Sequence, residues 1–144
     1  MENILAQAKK VAEEAEVFAI SSEETSLQFE ANRLKHLQSK QSTSVALRII
    51  RQGKIGYATT TEIGDNQNLV NMAVETAQFG TTAKFEFPSL TSYPQVKVFD
   101  PDVESVSTEV MIRLGKEMIT TARGHASELI CEAMVTGGIV SVHI

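Results

Sequence analysis

Apolar residues recur at helical spacing through the first fifteen positions. Ile4, Leu5, Ala8, Val11, Ala12 and Ala15 share one face, and Gln7, Lys9, Lys10, Glu13 and Glu14 take the other. The spacing predicts a helix over 2–15. The period then falls to two. After a short apolar run at 17–20, Leu27, Phe29 and Ala31 alternate with Gln28, Glu30 and Asn32. A weaker extended stretch covers 34–40. Val45, Leu47 and Ile49 alternate with Ala46, Arg48 and Ile50, and Ile55, Tyr57 and Thr59 follow after Arg51-Gln52-Gly53-Lys54, a glycine-bearing hairpin interval. Residues 16–61 therefore read as a mostly antiparallel sheet of four or five strands, because connections this short do not allow parallel crossovers.

Helical spacing returns at Leu69, Met72, Ala73, Thr76 and Ala77. Asp65 or Asn66 stands as the N-cap and Gly80 at the C′ position, which predicts a helix over 65–80. All three prolines, Pro88, Pro94 and Pro101, fall in a connector over 81–104, with Val96-Lys97-Val98-Phe99 as its extended part. A third helix is expected over 105–123. Ser105 or Ser107 caps it, Val110, Met111, Leu114, Met118 and Ala122 form its stripe, and Gly124 is its stop. Residues 129–144 read as a hairpin, with one strand over 129–135, a turn at Gly137-Gly138 and a second strand over 139–144. The fold class is α+β, a sheet packed with two or three helices. A fresh hairpin arm at the last residue suggests that more chain follows.

Composition adds bounds. With 144 residues, 42% apolar and 22% charged, the chain can bury a core without metals or disulfides. Its formal charge of −5, from 13 basic and 18 acidic residues, argues against nucleic acid as a partner. No apolar run is long enough to span a bilayer, and an acid, Glu2, stands where a signal peptide would be basic. A single cysteine, Cys131, excludes an internal disulfide. A cytoplasmic location is the expectation.

Chemistry is sparse. His36, His125 and His143 show no metal-ligand spacing. Cys131 and His143, twelve apart, lack two further zinc ligands, and Cys131 beside Glu132 sits in the wrong field for a nucleophile. Gly53-Lys54-Ile55-Gly56 lacks the lead-in and following helix of a phosphate loop. Gly53 reads instead as a hairpin glycine and Gly56 as a close-packed strand glycine. The clusters Ser21-Ser22-Glu23-Glu24 and Thr59-Thr60-Thr61-Glu62 read as strand-end loops, and the pairs Glu13-Glu14 and Glu23-Glu24 as solvated. No residue is assigned a catalytic, cofactor-binding or metal-ligating role. Arg48, lone among apolar neighbours, reads either as a structural cation paired with an acid or with loop carbonyls, or as a contact to a further lobe or a bound peptide. Were that pair buried, breaking it would cost about 3–5 kcal/mol.

One stretch is more specific. Residues 42–60, with Arg48 near the centre of a strand, Gly53 in the turn, Gly56 beyond it and then Ala58-Thr59-Thr60, resemble the N-terminal domain of the TldD/PmbA family, also called TldD/TldE. The helix running into Ala15-Glu16-Val17 is similar to that family's strand entry, and Glu30-Ala31-Asn32-Arg33-Leu34-Lys35 to its Asn-Gly turn, with Arg33 in place of the glycine. Ser44 likewise stands where glycine is frequent. The 69–80 helix, Val98-Phe99-Asp100-Pro101 and Ser107-Thr108-Glu109 also fit, the last two leaning toward the PmbA (TldE) branch.

The resemblance implies that residues 1–144 form a single N-terminal lobe of a longer, two-lobed subunit. Such subunits pair as homodimers or TldD–TldE heterodimers in a metallopeptidase that acts on unfolded peptides. The family's zinc-binding His-Glu-x-x-x-His helix and cysteine ligand belong to the C-terminal lobe of TldD-type subunits. No position here matches them, so no zinc is expected in this chain. The implied role is non-catalytic: enclosing a cavity and binding peptide, by strand addition to a sheet edge within residues 25–60. The family's older label, modulator of DNA gyrase, gains no support as direct DNA binding from a charge of −5. The alternative is a stand-alone protein- or small-ligand-binding module.

Overall fold

A computed structural model describes residues 1–88, 92 and 94–144; Ser89, Leu90, Thr91 and Tyr93 of the expected connector lie outside the described residues. The chain is α+β. In order it forms α1 (Glu2–Ala8), β1 (Glu14–Glu30), β2 (Arg33–Arg51), β3 (Lys54–Thr60), α2 (Asn66–Gln78), a 3₁₀ turn (Pro101–Ser105), α3 (Thr108–His125) and β4 (Ala133–His143). The four strands make one antiparallel sheet in the order β3-β2-β1-β4. The chain divides into two compact units. Unit 1 comprises Met1–Ser21, Ser42–Gln95 and Ser141–Ile144, and unit 2 comprises Ser22–Gln41 and Val96–Val140.

In unit 1, the alternation of β2 buries Val45, Leu47 and Ile49 against Val17 of β1, Ala58 of β3, Ile4 and Ala8 of α1, and Leu69, Val70, Ala73 and Ala77 of α2. β2 and β3 pair antiparallel, Leu47 opposite Ala58 and Ile49 opposite Gly56. Their two-residue turn takes positive φ at both Gln52 (51°) and Gly53 (70°), the geometry that matches strand twist. α2 starts at Asp65, whose carboxylate accepts from Asn68 N–H. Gly80 does stand just past its end, but not with the left-handed backbone of a C′ glycine. It is small because a Cβ there would overlap the carbonyl oxygen of Ile55. A Cβ at Gly56 would likewise overlap the carbonyl oxygen of Ala73.

The helix expected over 2–15 ends at Ala8. Residues 9–11 form a turn, in which Val11 N–H donates to Ala8 C=O, and Glu13 N–H already donates to Ile50 C=O. Pairing with the end of β2 overrides the helical pattern of Val11, Ala12 and Ala15. Glu13 and Glu14 are not merely solvated. Glu13 accepts from Gln52 N–H at 2.9 Å, fixing the β2–β3 turn, and Glu14 accepts from Phe87 N–H at 2.6 Å.

In unit 2, Leu27 and Phe29 of β1 are buried with Met111 and Ile119 of α3, and Leu34, Ile112, Cys131, Ala133 and Val135 pack around them. The β1–β2 turn sits at Ala31 and Asn32, both at positive φ. Asn32 also pins the chain ahead of β4: its side chain donates to Leu129 C=O and accepts from Cys131 N–H at 2.8 Å. α3 is capped by Ser107, not Ser105, and runs through Gly124 to His125. Its buried line is Met111, Gly115 and Ile119, whereas Leu114 and Met118 of the expected stripe are about half exposed. The line turns on Gly115, where a Cβ would overlap the Phe29 ring.

Three expected breaks are absent among the described residues. Ser21-Ser22-Glu23-Glu24 does not end a strand; it lies inside β1, and 34–40 and 45–50 are both parts of β2. Residues 35–43 of β2 are exposed, so no alternation marks them, and cross-strand bonds such as Thr25–Ser39 (2.9 Å) join side chains in this polar stretch. The C-terminal hairpin is likewise one strand. Gly137-Gly138 lies within β4 without positive φ, and Gly138 is small because a Cβ would come 2.6 Å from Glu23 C=O on β1. Residues 129–132 precede the strand.

Candidate functional site

The sheet order leaves β3 and β4 as the two edges and makes β1 and β2 interior, so most of residues 25–60 cannot receive an added strand. β3 is closed as well through Tyr57. Ile55 N–H donates to Thr81 C=O (3.0 Å), Ala83 N–H to Gly53 C=O (2.8 Å), and the Thr76 hydroxyl accepts from Tyr57 N–H while donating to Tyr57 C=O, both at 2.9 Å. The Gly53 C=O, the Ile55 N–H and both backbone groups of Tyr57 are thus engaged. Within 25–60 the edge open to an added strand is thus narrowed to the end of β3 beyond Tyr57.

Unit 2 offers a concave alternative. A groove of about 860 Å³ opens beside the first turns of α3, in the size range of ligand clefts. Met111, Leu114, Val135 and Ile139 supply apolar surface, and Glu24, Glu104 and Lys40 are among its charged groups. Its place follows from sequence. Gly137 and Gly138 keep the floor low, and the Ser107 cap starts α3 beside it, with Ser107 Oγ accepting from Val110 N–H. The Ser107 hydroxyl beside Glu109, together with Glu109's own backbone N–H, holds that carboxyl below the usual carboxylate range. Glu109 is fully exposed, so its shift marks a helix start and not a reacting group. Glu23, also at the groove, accepts from Gln41 Nε2 at 2.7 Å.

The residues weighed for chemistry do not converge. His36 lies on β2, His125 ends α3, and His143 ends β4 with its ring 3.2 Å from Ser141 Oγ. Cys131 is half-buried against the Leu27–Phe29 cluster. Among the described residues no three His, Cys, Asp or Glu side chains come together as metal ligands. Among them, too, no helix is long and apolar enough to cross a membrane.

Of the partners open to Arg48, the structure supplies an acid. Its Nη2 donates to Glu16 Oε1 at 2.8 Å, and its guanidinium carbon lies 4.8 Å from the Phe87 ring centre and 5.6 Å from that of Phe85. These rings carry no local signal of the contact; they arrive from the connector. The side chains of the pair remain 41% and 24% exposed, so the 3–5 kcal/mol of a buried pair does not apply. A half-exposed pair with ring contacts is worth about 1–2 kcal/mol. Arg48→Ala should therefore lower the melting temperature by about 3–6 °C, whereas Arg51→Ala should stay within about 1–2 °C. Equal melting curves for the two variants, by circular dichroism, would refute the assignment.

Residues 15–78 match the family described as PmbA/TldA metallopeptidase domain 1. No curated protein sequence matches the chain. Among solved structures, TldE from Thermococcus kodakarensis is similar over 99% of this chain and 38% of its own length, at 14% identity and a TM-score of 0.79. A protein titled as a modulator of DNA gyrase from Bacteroides thetaiotaomicron is similar over 98% of this chain and 34% of its own, at 17% identity and a TM-score of 0.79. One with a like title from Thermotoga maritima covers the same shares at 17% identity and a TM-score of 0.71. The chain thus spans little more than a third of the length of the structures it matches.

Proposed function

We propose that this chain, whose residues 15–78 carry the first domain of the PmbA/TldD metallopeptidase family, serves as a non-catalytic N-terminal lobe of a longer peptidase subunit, helping to enclose its cavity and to bind unfolded peptide. The observation that carries the reading is the fold likeness, which extends over 98–99% of this chain but only 34–38% of three longer chains. A lobe of that kind contributes surface, and the unit 2 groove is the surface that suits an extended peptide. Its apolar lining receives side chains without demanding a sequence, and its acidic groups favour a peptide with basic residues. The partner is a TldD/PmbA-type subunit. Zinc belongs to the catalytic lobe of such an assembly, so elemental analysis of this chain should find far less than one zinc per chain; a stoichiometric, tightly held zinc would contradict the reading.

The groove is tested by fluorescence anisotropy with a labelled unfolded peptide rich in leucine and lysine. Leu114 is 44% exposed, so Leu114→Lys leaves the core intact. An ammonium placed under the peptide's apolar side chains and beside its lysines should weaken binding at least about tenfold, equivalent to about 1.4 kcal/mol. Unchanged affinity in that variant would remove the groove from the account.

A further inference from the structure

The Gly53–Ile55 part of the β3 edge is covered by the chain itself. Residues 81–87 lie along it as a short antiparallel strap, with Lys54 facing Thr82, Ile55 N–H donating to Thr81 C=O and Ala83 N–H donating to Gly53 C=O. Further on, Glu14 accepts from Phe87 N–H, and the Arg48 guanidinium lies against the rings of Phe85 and Phe87, whose centres are 5.8 Å apart. This hold is thin. No residue of the strap belongs to either core cluster, Thr81, Thr82, Lys84 and Glu86 are exposed, and Phe85 is 47% exposed. Nor is the strap flush with the sheet: Glu14, Ile50 and Gly53, together with Ala83 and Phe85 of the strap, line a hollow of about 670 Å³. Segments with few buried apolar contacts and exposed hydrogen bonds are those that open locally. Tyr57 is different, because its cover is the Thr76 hydroxyl, which α2 carries.

We propose that residues 81–87 are a releasable clasp, and that the seat beneath it takes an extended peptide with aromatic side chains at alternate positions. The seat consists of Gly53 C=O, Ile55 N–H, the Glu14 carboxylate and the Arg48 guanidinium, all within unit 1. The clasp is the template for this ligand. In an extended chain residues two apart point the same way, so Phe85 and Phe87 both reach Arg48 while Glu86 stays exposed. Backbone bonds to Gly53 and Ile55 accept any sequence, and the cation selects for rings. Arg48 keeps Glu16 as its partner whichever segment is seated, so the guanidinium stays in place when the clasp leaves. Clasp and peptide make the same bonds and exclude each other. The proposal rests on the reading of this chain as a peptide-binding lobe, and it adds to that reading a second site with its own ligand class.

The test is fluorescence anisotropy with a labelled synthetic peptide that has the sequence of residues 81–87, titrated into the chain. Phe85→Ala with Phe87→Ala weakens the clasp and leaves the seat. Neither ring belongs to a core cluster, so this variant should keep the parent's circular dichroism. It is expected to bind the peptide at least about tenfold more tightly than the parent, because the seat is vacant for more of the time. A peptide with both phenylalanines replaced by alanine should bind it at least about tenfold more weakly. Lys54→Cys with Thr82→Cys, added to the variant, closes the clasp with a disulfide, since these residues face each other as a non-hydrogen-bonded pair close enough for one. Oxidation should abolish binding and dithiothreitol should restore it. Equal affinity of parent and clasp variant, no binding by the variant, indifference to the rings, or binding by the oxidised form would each overturn the proposal. The leucine–lysine peptide, run alongside, separates the two readings. If it binds where the strap peptide does not, the seat alone is wrong; if neither binds, the peptide-binding lobe is wrong with it.

Discussion

Gly56→Ala is expected to cost about 3 kcal/mol and to lower the melting temperature by about 10 °C. The added methyl would overlap the carbonyl oxygen of Ala73 and come within 2.8 Å of the Ala77 Cβ and 3.0 Å of Ile49 Cγ1. None of these can yield cheaply. Ala73 C=O belongs to the backbone of α2, Ala77 is itself only 3% exposed, and Ile49 is fully buried. The helix would have to lift from β3, taking Leu69, Val70 and Ala73 out of the unit 1 core. Gly53→Ala is the matching control. It strains a positive φ but meets nothing within 4 Å, so it should lose only about 1 kcal/mol. Denaturant melts of the two variants separate the close approach from the turn, and a Gly56→Ala protein as stable as the Gly53→Ala one would refute this packing.

Phe29→Ala should be comparably damaging, about 3–5 kcal/mol, because it removes the largest buried side chain of unit 2, 1% exposed. The position of Gly115 makes a sharper claim. Gly115→Ala alone drives a methyl into the Phe29 ring and should destabilise, although alanine is the better helix former by about 1 kcal/mol. In a Phe29→Ala background the ring is gone. The methyl then fills part of the cavity and the helical preference is released, so the same substitution should stabilise. A double-mutant cycle measured by urea denaturation reads this reversal of sign. An additive cycle would mean that the ring does not lie on Gly115.

What could be read from the sequence follows from where water is. The β2–β3 hairpin and α2 were legible because each buries one face: Leu47, Ile49 and Ala58 alternate, Leu69, Ala73 and Ala77 recur at helical spacing, and Asp65 and Gly53 mark the boundaries. The middle of β1 and β2 was not. Residues 35–43 are solvated, and hydrophobic alternation cannot mark a stretch that buries no face. The end of α1 is hidden in the pattern because Val11, Ala12 and Ala15 fit a helix as well as the strand entry that pairing with Ile50 selects. Glycines were the hardest to read. Gly138 is a close approach whose Gly-Gly setting mimics a turn, while Gly115, the seat of the α3–Phe29 contact, carries no local signal at all. The candidate groove was invisible for the same reason: its lining comes from β1, β2, β4 and the start of α3, and no segment of it forms a motif. The stretch 42–60 that resembles the TldD/PmbA domain lies in the half of the chain whose pattern was clear.

The most direct test of the central claim, that this chain binds peptide and leaves the chemistry to another lobe, is mass spectrometry of an unfolded peptide incubated with the purified chain. The account predicts an intact peptide after prolonged incubation, with added zinc or without. Reproducible cleavage that survives repurification and chelation would contradict it.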